Sequence, residues 1–154
     1  MPRHPVRTLR FGVQMLVDLG TGMEPFSRDV SEVVHQVRRT AGHEHTEVVY
    51  FDHCPVRGVG QGPRWTWGEY LPPAPGTRVF ILSDLGMGGP RLDPRRSTRA
   101  EWERLVALLA HAQCTAVAFV PFPRKRWPLW ATKLLPLAPW DRQTTAGWIA
   151  AHLD

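Results

Sequence analysis

The sequence predicts an α/β fold: a single three-layer domain in which helices flank a mainly parallel central sheet. Three observations carry that expectation. Apolar runs of strand length alternate with amphipathic helical stretches, the order of a parallel sheet with helical crossovers. The run FGVQMLVD is nearly continuous in its apolar residues rather than alternating, as in a strand covered on both faces. The chain has 154 residues, enough for one domain with a single core. Residues 1–154 are therefore read as one domain, with 1–10 as an N-terminal extension.

The elements follow in order. FGVQMLVD, residues 11–18, reads as the first strand. After a turn with two glycines, Phe26, Val30, Val33, Val34 and Val37 recur at helical spacing, which marks one apolar stripe. Pro25 suits the first position of that helix and Gly42 its stop. TEVVYFD, 46–52, is the second strand. Residues 53–77 carry several glycines and prolines without a long period, and VRGVGQGPRWTWGEY is read as a short edge strand or hairpin. RVFILSD, 78–84, is the next strand. Thr98 and Glu101 have the spacing of a capping box, and Trp102, Leu105, Val106 and Leu109 form the stripe of the helix they open. TAVAFVP, 115–121, is a strand. KLLPLAPW, 133–140, is expected as an edge strand, because its prolines exclude a central place. TTAGWIAAHLD closes the chain as a short helix.

Composition narrows the classes of function. The chain is 43% hydrophobic and 21% charged, in the range of globular proteins. No apolar run approaches the roughly 20 residues of a membrane span, and the basic start MPRHPVRTLRFG leads into an apolar run that soon meets Asp18, unlike a signal peptide. Cys54 and Cys114 make no disulfide framework. These features read as a cytoplasmic protein with no membrane partner. The net charge is +5, and every basic residue except Lys125 and Lys133 is arginine. Arginine favours carboxylate and phosphate partners, although much of this charge is expected to be solvated surface.

Two strands end in the same tripeptide, Asp-Leu-Gly: VQMLVDLGTGM at Asp18 and RVFILSDLGMGG at Asp84. Binding sites of open parallel sheets lie beyond the carboxyl ends of the strands, at the point where strand order reverses. If the two strands are neighbours, the two carboxylates converge there.

On these residues the sequence resembles a von Willebrand factor A domain. In that family the first strand ends in Asp-x-Ser-x-Ser, usually followed by Met, and a later strand ends in Asp followed closely by Gly. A threonine from a loop between them completes a divalent metal site, the metal-ion-dependent adhesion site. Asp18 and Met23 match the first element, Asp84 and Gly86 the later one, and TEVVYFD resembles the family's second strand. The likeness covers residues 10–153. It implies Asp18 and Asp84 as metal ligands of a degenerate site. Both metal-site serines are glycine here, Gly20 and Gly22, and Thr21 stands at a position the family does not use. The stretch before RVFILSD is too short for the usual helices, and Thr66 is its one threonine before Thr77. A hard cation wants several oxygen ligands, so the expectation is no cofactor, with weak Mg²⁺ binding at most. FVPFPRKRWPLW, LAPWDR and SDLG further resemble compact bacterial A-type domains that accompany MoxR-type AAA ATPases and multi-component conflict systems. That likeness implies a protein partner, an ATPase or protease component of the same system.

His43, His45, Asp52, His53 and Cys54 are zinc-ligand types, but a strand of about six residues holds the two groups roughly 20 Å apart. Cys54 beside His53 is not a nucleophile–base pair, because successive strand side chains point to opposite faces. GQGPRWTWGEY lacks the Lys-Ser/Thr of a phosphate loop. Arg124, Lys125 and Arg126 interleave with Phe122, Trp127 and Trp130, a mixture suited to a protein interface or to single-stranded nucleic acid. The expectation is a protein–protein interaction module, an adaptor or scaffold rather than an enzyme. Gly20, Thr21, Gly22, Arg124, Lys125, Arg126 and Trp127 are its expected partner contacts, framed by loop 85–97 with Arg91, Arg95 and Arg96. Two alternatives stay open: a metal-dependent hydrolase using Asp18, Asp52, His53 and Asp84, and a nucleic-acid-binding module using residues 122–130.

Overall fold

A computed structural model describes residues 12–90 and 92–140, together with Gly147 and Ala151. The expected N-terminal extension, Arg91 and nearly all of the expected closing helix lie outside the described residues. The chain runs β1 (Val13–Asp18), α1 (Ser27–Ala41), β2 (Thr46–Phe51), β3 (Val59–Gly60), β4 (Arg78–Leu82), α2 (Arg99–His111), β5 (Thr115–Val120), α3 (Leu129–Leu134) and β6 (Leu137–Pro139). The six strands form one sheet in the order β3-β2-β1-β4-β5-β6. All neighbours are parallel except β2 and β3. The fold is thus a single three-layer α/β domain, doubly wound, with strand order reversing between β1 and β4.

The continuous apolar runs are explained by the alternation of strand side chains. Met15, Val17, Phe80, Leu82 and Phe119 face α1 and pack with Val33, Val34 and Val37. Leu16, Val79, Ile81, Ala118 and Val120 face the other way and pack with Trp102, Leu105 and Leu109 of α2. Trp102 has no exposed surface, and its indole N–H donates to Ser97 Oγ at 2.9 Å. The one polar residue inside β1, Gln14, is matched rather than stranded: it donates to Glu47 Oε1 at 2.9 Å and accepts from the Tyr70 hydroxyl at 2.7 Å.

The helix signals behave as the chemistry dictates. The Thr98 hydroxyl accepts from the Glu101 amide and the Glu101 carboxylate accepts from the Thr98 amide, a reciprocal capping box worth about 1 kcal/mol. Glu101 also pairs with Arg57 at 2.6 and 2.9 Å, so the same side chain ties the loop after β2 to α2. Gly42 ends α1 at φ 95°, a conformation that costs glycine little.

Two expectations are corrected in detail, the start of α1 and the extent of the last strand. Pro25 is not the first residue of α1. It lies inside a 3₁₀ turn, Thr21–Phe26, and α1 begins at Ser27. Phe26 accordingly leaves the helical stripe and packs edge-on against Phe122 at 5.7 Å. Residues 133–140 are not all strand. Pro128 caps the one-and-a-half-turn helix α3, which stops at Leu134 because the residue before Pro136 is pushed into extended conformation. The remaining strand, β6, does sit at the edge of the sheet. The stretch 56–70 is a hairpin, with β3 antiparallel to β2 and Val59 bridged to Gly68. No helix among the described residues is long and apolar enough to cross a membrane.

Candidate functional site: a carboxylate pair at the switch point

β1 and β4 are adjacent and parallel, so Asp18 and Asp84 reach the same edge, as their spacing requires. Asp18 is 2% exposed and Asp84 6%. Buried carboxylates must be matched by donors, and each of these is. Asp18 Oδ1 accepts from the amides of Gly20 at 2.7 Å and His53 at 3.1 Å, and Oδ2 from the Ser83 hydroxyl at 2.7 Å. Asp84 Oδ1 accepts from the Gly86 amide at 3.0 Å and Oδ2 from the Gly88 amide at 3.1 Å. Burial is the main force on Asp18. It raises the carboxyl to about 6 against the Ser83 bond that lowers it, with Asp84 raising it further.

The glycines explain the closeness of the two turns. A Cβ on Gly22 would collide with Asp84 Oδ2 and stand 2.8 Å from the backbone carbon of Gly88. The carboxylate of Asp84 therefore occupies the space that a side chain at position 22 would need. A Cβ on Gly20 would stand 2.9 Å from Asp18 Oδ1 and 3.0 Å from the His53 ring.

A divalent cation wants about six oxygen ligands. Asp18 Oδ1 already accepts two amides, the other three carboxylate oxygens accept one donor each, and positions 20 and 22 supply no oxygen. Thr66 is turned away, its hydroxyl donating to Pro63 O at 2.6 Å. No three His, Cys, Asp or Glu side chains among the described residues group so that they could hold a metal. The residues present do not fit the ion that the resemblance implies.

The other anticipated residues fall as follows. Asp52, His53 and Cys54 follow β2 on the Asp18 edge, while His43 and His45 precede it at the opposite end. The structure does bring Asp18, Asp52, His53 and Asp84 to one edge. Asp52, however, turns to Arg64 at 3.1 Å, and His53 touches Asp18 through its backbone amide. Cys54 is fully buried, and burial pushes its thiol up to about 12, so no thiolate is available at neutral pH. Gly20 and Gly22 are buried and shape the edge from beneath. Thr21 is half-buried, its hydroxyl accepting from Arg95 at 3.2 Å. Arg124, Lys125 and Arg126 are exposed in a 3₁₀ turn. Trp127 is half-buried and its indole donates to Phe122 O at 2.7 Å.

Sequence reasoning did not find three features of this edge. Ser83 is the third donor to Asp18, and only the sheet register shows that it faces that carboxylate. Leu19 and Leu92, in the loops after β1 and β4, and Leu129, the first residue of α3, are 41%, 92% and 69% exposed. A polar cleft of about 460 Å³ opens between the loops after β1 and β2, lined by Leu19, Thr21, Asp52, His53, Arg64 and Arg95 among others.

Fold and edge together define a doubly wound α/β domain with an internally bonded carboxylate pair at its switch point. No family model matches the sequence, and no curated protein matches it.

Proposed function

We propose that this chain is a compact, divergent von Willebrand factor A-type domain that works as a protein–protein interaction module, an adaptor or scaffold within a bacterial multi-component system. It binds its partner through the edge of the sheet where Asp18 and Asp84 lie. The partner is an ATPase or protease component of that system, and the chemistry belongs to the partner. One observation carries the reading: the carboxylates at the switch point are consumed by internal hydrogen bonds, while the loops around them present exposed leucines among arginines. An edge built for catalysis on a small substrate holds reactive groups open to it. An edge built for a protein presents apolar and arginine contacts with a rigid base beneath.

Capture from native lysate tests this, using wild type and Arg124→Ala/Arg126→Ala with matched melting temperatures. Charged loop residues seldom hold a core together, so the variant folds. The reading expects a defined partner on wild type and its loss from the variant. Full retention of that partner by the variant, or hydrolytic activity that disappears in Asp18→Asn, contradicts it.

A further inference from the structure

A second depression on the same edge has a different chemistry from the polar cleft between the loops after β1 and β2. It holds about 450 Å³ and is lined by Arg96, Arg99 and Arg126, with Met87, Pro128 and Trp130 forming its apolar part. Its walls come from the turn after β4, the segment that opens α2 and the loop after β5. None of the residues lining it is acidic.

The three guanidinium groups are held in different ways. Arg96 is fixed by two backbone carbonyls, Gly86 O at 2.6 Å and Pro90 O. Its Nε is buried without a hydrogen-bond partner among the described residues. Arg126 lies over the Phe122 ring at 4.4 Å and has no carboxylate partner among the described residues. Arg99 pairs with Glu103 one helical turn away at 3.0 Å, both side chains being well exposed. Such a pair is worth little, so Arg99 exchanges it at small cost.

We infer that this cleft binds an acidic segment of a partner protein, carboxylates on Arg99 and Arg126 and an apolar side chain against Met87 and Trp130. The inference rests on the interaction reading above and names the partner's chemistry. Carboxylate is favoured over phosphate because four of the backbone donors that could cradle a phosphate are bonded within the chain. The amides of Gly86 and Gly88 bond Asp84, and the capping box takes the amides of Thr98 and Glu101 at the start of α2. What remains is side-chain guanidinium, spread around an open depression with an apolar floor. That arrangement suits several carboxylates along a chain rather than one compact anion. Arg and Trp are also the residues that dominate interface energetics.

The test is fluorescence anisotropy on the full chain. The probe is a short labelled peptide rich in Glu and Asp with one central Leu, and its Gln/Asn counterpart is the control. Inorganic phosphate and single-stranded DNA are the competitors. The expected result is binding of the acidic peptide alone, weakened by salt and at least about tenfold weaker in Arg99→Glu/Arg126→Glu. The exposed pair Arg124→Ala/Lys125→Ala, outside the cleft, has a smaller effect. Equal binding of both peptides, no loss in the reversal variant, displacement by phosphate or DNA, or no binding up to about 1 mM overturns the inference. Partner capture from lysate that survives in Arg99→Glu/Arg126→Glu but not in Arg124→Ala/Arg126→Ala sinks the acidic cleft alone. Loss of capture in neither sinks the interaction reading as well.

Discussion

The two Asp-Leu-Gly turns share a tripeptide and the bond from its glycine amide to the Asp Oδ1, and differ in backbone conformation and in what surrounds them. In the first, Gly20 has an ordinary φ of −64° and Leu19 points outward, 41% exposed. In the second, Leu85 and Gly86 both have positive φ, 53° and 87°, the Met87 amide bonds to Asp84 O at 2.9 Å, and Leu85 is 2% exposed. A leucine in the left-handed region costs on the order of 1–3 kcal/mol. Burial of its side chain and the bond from its amide to Ser83 Oγ at 3.0 Å hold it there. The reversed turn wraps two amides onto Asp84, whereas Asp18 takes its donors from three separate stretches: its own turn, the loop after β2 and the end of β4. The Asp84 turn is thus a self-contained anion clamp, and the Asp18 turn is a junction between elements. Local sequence does not decide this difference; the packing of one leucine does.

Breaking that leucine's burial is the severest test of the contrast. Leu85→Ala is expected to cost about 2–5 kcal/mol, because it loses a core side chain and keeps the strained backbone. Leu19→Ala stays within about 0.5 kcal/mol. Urea unfolding of both variants measures the gap, and similar losses would show that the two turns are equivalent.

The next effect is on pH. The Asp18 carboxyl is raised from 3.8 to about 6 in the folded chain, so between these values the folded state binds more protons than the unfolded one. Its contribution is therefore present in full below pH 4 and is lost as pH rises through about 6, by roughly 3 kcal/mol. Asp18→Asn keeps an oxygen for the Gly20 and His53 amides and places an amide against Ser83. It is expected to flatten this dependence. Melting temperatures of both proteins from pH 4 to 8 check it, and parallel profiles would contradict it.

A smaller effect separates the glycines. Gly22→Ala puts a methyl into the Asp84 carboxylate and the Gly88 backbone and is expected to cost about 1–3 kcal/mol, a fall in Tm of roughly 2–12 °C. Gly20→Ala meets Asp18 Oδ1 at 2.9 Å and the half-buried His53 ring at 3.0 Å, both wider than the collision at Gly22, and costs less. A reversed order would mean that Asp84 does not fill the space over Gly22.

Much of this edge was legible before any coordinates. The apolar continuity of FGVQMLVD marks a strand covered on both faces, and the shared strand endings bring Asp18 and Asp84 together once β1 and β4 are neighbours. The capping box at Thr98 and Glu101 and the edge place of a strand within residues 133–140 follow from local chemistry. Three things were not legible. The length of β6 depended on whether LWATKL pays its short-helix nucleation through packing of Ala131 and Leu135. The role of Ser83 depended on register. The difference between Leu19 and Leu85 depended on what lay above each turn, which no local pattern records.

The account turns on the claim that the carboxylate pair is satisfied within the chain. Calorimetric titration of the apo protein with Mg²⁺, Mn²⁺ and Ca²⁺ tests it most directly. The expected result is no saturable heat from any of the three ions. Saturable micromolar binding that disappears in Asp18→Asn would contradict it and return the edge to metal chemistry.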